Sequence, residues 1–144
     1  MGLGAWNDSL LKTYHSLDPP EPMSMFRFQE LTVWQRAMDL GIELDELSDE
    51  LEAARRYRYA EQLRAAALSI SNNIAEGSGS TSKKDFAHFM NIAKRSAFEN
   101  ANMLIFFERK KFFATTTCQP LLLKLESLCR MIEAFRKTLV SPAQ

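Results

Sequence analysis

A chain of 144 residues, 46% hydrophobic and 25% charged, carries enough apolar material for one folded core and is short for two domains of ordinary size. Its two cysteines, Cys118 and Cys129, form no CxxC pair, no secretory leader pattern opens the chain, and no stretch approaches the roughly 18 uninterrupted apolar residues of a membrane helix. These features exclude a disulfide scaffold and a membrane span, and they point to a soluble protein of the cytoplasm.

The formal net charge of zero conceals a split along the chain. Gln29 to Ala54 holds eight acids (Glu30, Asp39, Glu43, Asp45, Glu46, Asp49, Glu50, Glu52) against Arg36 alone, whereas Arg55 to Phe113 holds eleven bases against five acids. Such an asymmetry has two readings: charged faces pair with each other inside the fold or between subunits, or part of the basic surface holds nucleic acid.

Residues 1–25 include Pro19, Pro20 and Pro22 and no sustained periodicity, which reads as an extension with a stiff linker. The folded domain is expected over residues 26–140. Val33, Ala37, Leu40, Leu44, Leu47 and Leu51 recur at alternating spacings of four and three, the stripe of a long amphipathic helix. Charge density alone puts its end near Glu52 to Tyr57. A second helix carries Leu63, Ala67, Ile70 and Ile74 and is expected to stop at Gly77 in a left-handed conformation. Ser82 then caps a third helix in a capping-box-like arrangement with Asp85.

The third helix runs to about Arg109 and has two apolar lines, Phe86, Met90, Ala93, Ala97 and Leu104 on one, Phe89, Ile92, Phe98, Met103 and Phe106 on the other. A helix apolar over so much of its circumference needs cover on two sides, from its own bundle and from a second subunit. After a Thr-rich loop, Pro120 suits the first turn of a fourth helix with the stripe Leu121, Leu125, Leu128, Ile132, Phe135 and Leu139. Four helices without a strand candidate make an all-α, up-and-down antiparallel four-helix bundle the simplest fold.

Chemistry has little to work with. Gly77 and Gly79 are wrongly spaced from Lys83 and Lys84 for a phosphate-binding loop and follow a helix. His15 and His88 are isolated, and neither HExxH nor Glu-x-x-His occurs, so no metal or other cofactor is expected. Asn73 and Glu76 share a helix face, but no nucleophile, histidine or second carboxylate accompanies them. They read as structural, with Asn73 bonding a neighbouring helix or loop and Glu76 pairing with Arg64 or Lys83.

The segments Phe28-x-x-Leu31-x-Val33-Trp34-Gln35-x-Ala37, Gln62-Leu63-Arg64-x-Ala66-x-x-Ser69-Ile70-x-x-Asn73-Ile74-Ala75-Glu76-Gly77, Ser82-Lys83-Lys84-Asp85-Phe86 and Ile92-Ala93-x-x-Ser96-x-x-Glu99 together resemble a known family. It is the four-helix bundle proteins encoded in intervening sequences of bacterial large-subunit ribosomal RNA genes, to which the accessory variability determinant proteins of diversity-generating retroelements are similar. The resemblance spans about Phe28 to Leu139. It implies a protomer assembled in a ring, commonly a homo-oligomer of five, with a basic surface. In the retroelement relatives it also implies binding to nucleic acid and to a reverse transcriptase, and it implies no catalytic residues. The chain departs from the pattern at Arg58, Arg95 and Ala101.

The expectation is thus a non-catalytic oligomer binding RNA or DNA through backbone phosphates, the alternative a protein-interaction scaffold whose charges serve subunit pairing. Lys83 and Lys84 at a helix start are the first candidates for phosphate contact. Arg55, Arg56 and Arg58 follow, then Arg64, Lys94 and Arg95.

Overall fold

The computed structural model describes residues 26–140, and the expected extension over 1–25 lies outside them. Four helices fill these residues, with no strand among them: α1 (Thr32–Ala53), α2 (Tyr57–Ser78), α3 (Lys83–Arg109) and α4 (Thr115–Val140). A short 3-10 turn over Arg27–Glu30 leads into α1. Here the Phe28 ring packs 5.1 Å from that of Trp34, and the Gln35 side-chain amide donates to the Gln29 carbonyl at 2.8 Å.

The helices pack as sequential neighbours, α1 on α2, α2 on α3 and α3 on α4, whereas α1 and α4 meet along a much shorter length. The core stripes are those of the sequence. Leu44, Leu63, Ile70, Ile74, Met90, Leu104, Leu125, Leu128 and Ile132 are essentially withdrawn from solvent, each burial contributing about 1.5–3 kcal/mol before chain entropy is counted. Of the two apolar lines on α3, Met90, Ala93, Ala97 and Leu104 enter the core. On the second line Phe98 and Phe106 remain 64% and 42% exposed, so the bundle alone leaves part of that helix uncovered.

A polar seam crosses the α2–α3 contact. Ser69 and Ser96 share a hydroxyl–hydroxyl hydrogen bond at 2.9 Å, the Asn73 amide donates to the Ser69 carbonyl at 2.7 Å, and fully buried Asn100 donates to the Ser96 carbonyl at 2.8 Å. Asn73 therefore bonds within its own helix, not to a neighbour as expected, and its link to α3 runs through Ser69.

Two boundaries differ from expectation. Gly77 lies inside α2, with Gly79 at the cap in a right-handed conformation, so no left-handed residue ends this helix. What calls for glycine at 77 is space: a Cβ there would stand 2.7 Å from the Phe89 Cβ and 3.1 Å from the Phe86 ring. And α4 begins at Thr115, its first amides received by the Ala114 carbonyl, so the Thr-rich segment is the first turn and Pro120 lies within the helix. The missing Pro120 N–H falls on an exposed position, where water can satisfy the Thr116 carbonyl.

Candidate functional site

The α1–α2 and α3–α4 connections lie at the same end of an up-and-down bundle, and both close by the same backbone geometry. After α1, the Arg56 amide donates to the Leu51 carbonyl at 2.8 Å and that of Arg55 to Glu52 at 2.9 Å; after α3, Phe112 donates to Phe107 at 2.9 Å and Lys111 to Glu108 at 3.0 Å. These are Schellman turns, which place one residue in the left-handed region. That residue is Arg55 in the first (φ 63°) and Lys111 in the second (φ 60°), the two described non-glycine residues with positive φ. Glycine takes this conformation without strain, whereas a residue with a Cβ incurs a cost of roughly 1–2 kcal/mol.

The turns are fastened to each other. The Arg56 guanidinium lies 3.6 Å from the centroid of the Phe112 ring, with the Lys110 ammonium at 5.9 Å from the same ring, a cation–π arrangement. Phe112 stacks on Phe107, and Tyr59 packs against Phe106, Phe107 and Phe112. Around this aromatic cluster stand Arg55, Arg56, Arg58, Arg109, Lys110 and Lys111. All six are exposed and none makes an ion pair among the described residues. Of the nearest acids, Glu52 is held by Arg64 and Glu108 accepts from Gln119; Glu61, one turn into α2, is exposed.

The residues singled out from the sequence do not form one surface. Arg55, Arg56 and Arg58 belong to this basic end. Lys83 and Lys84 open α3 at the opposite end, separated by the length of α2, 22 residues or about 33 Å. Arg95 is exposed on α3 between the two. Arg64 reaches Asp49 at 2.6 Å and Glu52 at 2.7 Å, with Asp45 at 3.7 Å, so its charge is spent on α1. Lys94 is bound to Glu133 at 3.0 Å, and Arg136 takes the other carboxylate oxygen at 2.7 Å; hydrogen bonds from Arg136 and Lys94 hold the Glu133 carboxyl down at about 2. Glu76 is exposed and pairs with neither Arg64 nor Lys83, which corrects that expectation.

Sequence alone does not single out Arg109, Lys110 and Lys111 as phosphate contacts. The signal was present: an antiparallel bundle brings its first and third turns together, so their charges add.

A second feature is a groove of about 700 Å³ between α3 and α4, floored by Ala97, Ala101, Leu122 and Cys129 and flanked by Phe98 and Ile105. Burial raises the Cys129 thiol above its ordinary value, as it does for Cys118, so neither sulfur is an activated nucleophile. Among the described residues, no group of three or more His, Cys, Asp or Glu side chains could hold a metal ion, and no helix is long and apolar enough to cross a membrane.

The model of the family described as 23S rRNA-intervening sequence protein matches residues 29–134. A crystal structure of a protein of unknown function from the S23 ribosomal protein family of Bacteroides thetaiotaomicron has a similar fold, with a TM-score of 0.70 at 19% identity over 74% of this chain and 99% of that one. A likeness at that identity speaks for architecture alone. No curated protein matches the chain.

Proposed function

The chain belongs to the 23S rRNA-intervening sequence protein family, and from that premise and the clustered cations we propose that it is a non-catalytic homo-oligomer that binds nucleic acid through its basic end. One observation carries the reading. At the two left-handed positions, where glycine would relieve the backbone, the chain has Arg55 and Lys111, and both belong to the six-cation cluster. Placing charge at a cost to backbone conformation, among like charges and without an acidic partner among the described residues, fits a surface that meets an anionic ligand.

Assembly supplies the second half of the proposal. The α3–α4 groove with exposed Phe98 and Ile105 is the face for a second subunit, and a ring, of five by family resemblance, would repeat the basic end. Repetition converts weak phosphate contacts into avidity. Lys83, Lys84 and Arg95 are secondary contacts in this scheme, and Arg64 and Lys94 are structural.

The competing reading, a protein scaffold joined by charge, draws on Asp39, Glu46 and Glu50 of α1, which are exposed and without ion pairs among the described residues. A salt-dependent titration with RNA and DNA of unrelated sequence decides between them. Arg58→Glu with Lys110→Glu should weaken binding about equally across sequences and flatten the log-log salt slope by roughly 0.7–0.9 per lost phosphate contact, with the oligomer intact. Lys83→Glu with Lys84→Glu should do less. Absence of binding at low salt, or dissociation of the Arg58/Lys110 variant into subunits, would transfer the charges to the scaffold reading.

A further inference from the structure

The basic end is not purely cationic. Tyr57, the first residue of α2, follows Arg56 directly, is 57% exposed, and its ring meets no other aromatic ring among the described residues. Phe106, in the last turn of α3, is 42% exposed with its ring 5.7 Å from that of Tyr59. Tyr57 stands between Arg56 and Arg58 in sequence, and Phe106 lies one helical turn before Arg109 and Lys110, so two exposed rings belong to the end of the bundle that carries the six cations.

Paired bases in a duplex are stacked on one another and present phosphates and groove edges outward, so exposed rings on a binding surface gain little from them. Unpaired bases have free faces, and stacking of such bases on protein aromatics beside a cationic track is how single strands are held without sequence preference. We propose that the basic end selects single-stranded over double-stranded nucleic acid. Arg55, Arg58, Lys110 and Lys111 follow the backbone, and unpaired bases stack on Tyr57 and Phe106. The inference rests on the nucleic-acid reading above and goes beyond it in naming the form of the ligand and the stacking residues. Arg56, already over the Phe112 ring, keeps the two turns in register beneath the bound strand.

The test is fluorescence anisotropy of the intact oligomer with a mixed-sequence strand of about 20 nucleotides and with the duplex of the same sequence, at matched salt. The single strand should bind at least about tenfold more tightly than the duplex. Tyr57→Ala should lower single-strand affinity about fivefold or more while leaving duplex affinity and the salt slope unchanged, and Tyr57→Trp should restore it. Since Tyr57 is largely exposed, the alanine variant keeps the fold, which circular dichroism would verify. Equal affinity for both forms, or equal single-strand affinity of Tyr57→Ala and Tyr57→Trp, would overturn the stacking proposal while leaving phosphate binding standing. Failure to bind either form would remove both.

Discussion

Replacing Arg55 and Lys111 by glycine should make the protein more stable and a poorer ligand binder at once. Both side chains are exposed and free of ion pairs among the described residues, so truncation sacrifices little contact energy. Releasing a Cβ from the left-handed region returns about 1–2 kcal/mol, from which the larger entropy of an unfolded glycine subtracts about 0.4–1 kcal/mol. The net gain is about 0.5–1 kcal/mol per site, augmented by relief of repulsion within the cluster. For a domain of this size, where 1 kcal/mol moves the midpoint by about 4 °C, the double variant should melt roughly 4–8 °C higher. The same variant should lose nucleic-acid affinity and show a shallower salt slope. Scanning calorimetry and an anisotropy titration on one preparation supply both readings. A lowered melting temperature would refute the strain argument, and a raised one with unchanged binding would refute the assignment of these cations to a ligand.

Gly77→Val should lower the unfolding midpoint more than Gly79→Val, by about 1–3 kcal/mol of overpacking against Phe86 and Phe89; equal thermal midpoints would mean that the α2–α3 contact yields at no cost. The Glu133 carboxyl, held at about 2 against an ordinary 4.5, contributes stability that is complete above pH 4.5 and disappears as the pH falls to about 2. Urea midpoints of wild type and Glu133→Gln should therefore differ most above pH 4.5 and converge near pH 2, and a constant difference across that range would contradict the linkage. Light scattering of the wild type should return a multiple of 16.5 kDa, and Phe98→Glu should shift the mass toward the single chain without loss of helix; a wild-type monomer at micromolar concentration would reject the α3–α4 interface.

Periodicity carried most of the fold because burial here follows simple stripes: Val33 through Leu51 on α1 and Leu121 through Ile132 on α4 are buried where their spacing put them. The Ser82 hydroxyl accepts from the Asp85 amide, as its position implied. Pattern failed where the cause lies in another helix. Gly77 looks like a helix stop until the Phe86 and Phe89 side chains are in place, and Ser96 sits on the buried face of α3 because its hydroxyl meets that of Ser69 on α2. For the candidate site, Arg55, Arg56 and Arg58 were legible as a charge run, but their union with Arg109, Lys110 and Lys111 spans more than fifty residues of sequence and exists only through topology. The left-handed backbone of Arg55 and Lys111 gave no sign in composition, since the turns lack the glycine that ordinarily marks them.

The short contact between α1 and α4 gives the bundle a seam. A cleft of about 420 Å³ opens there, bridged by the Lys124–Glu43 ion pair at 2.7 Å, while Arg56 on Phe112 clasps the two turns at the basic end. A closed bundle would have to rupture two long interfaces to release an outer helix; this one ruptures a single long interface and a narrow strip. Amide hydrogen exchange should accordingly be graded, with α2 and α3 exchanging only on global unfolding and α1 and α4 opening first along the seam, from the end remote from the clasp. The basic end is thus the last part of the outer helices to come apart, and it retains its shape through excursions that loosen the rest of α1 and α4.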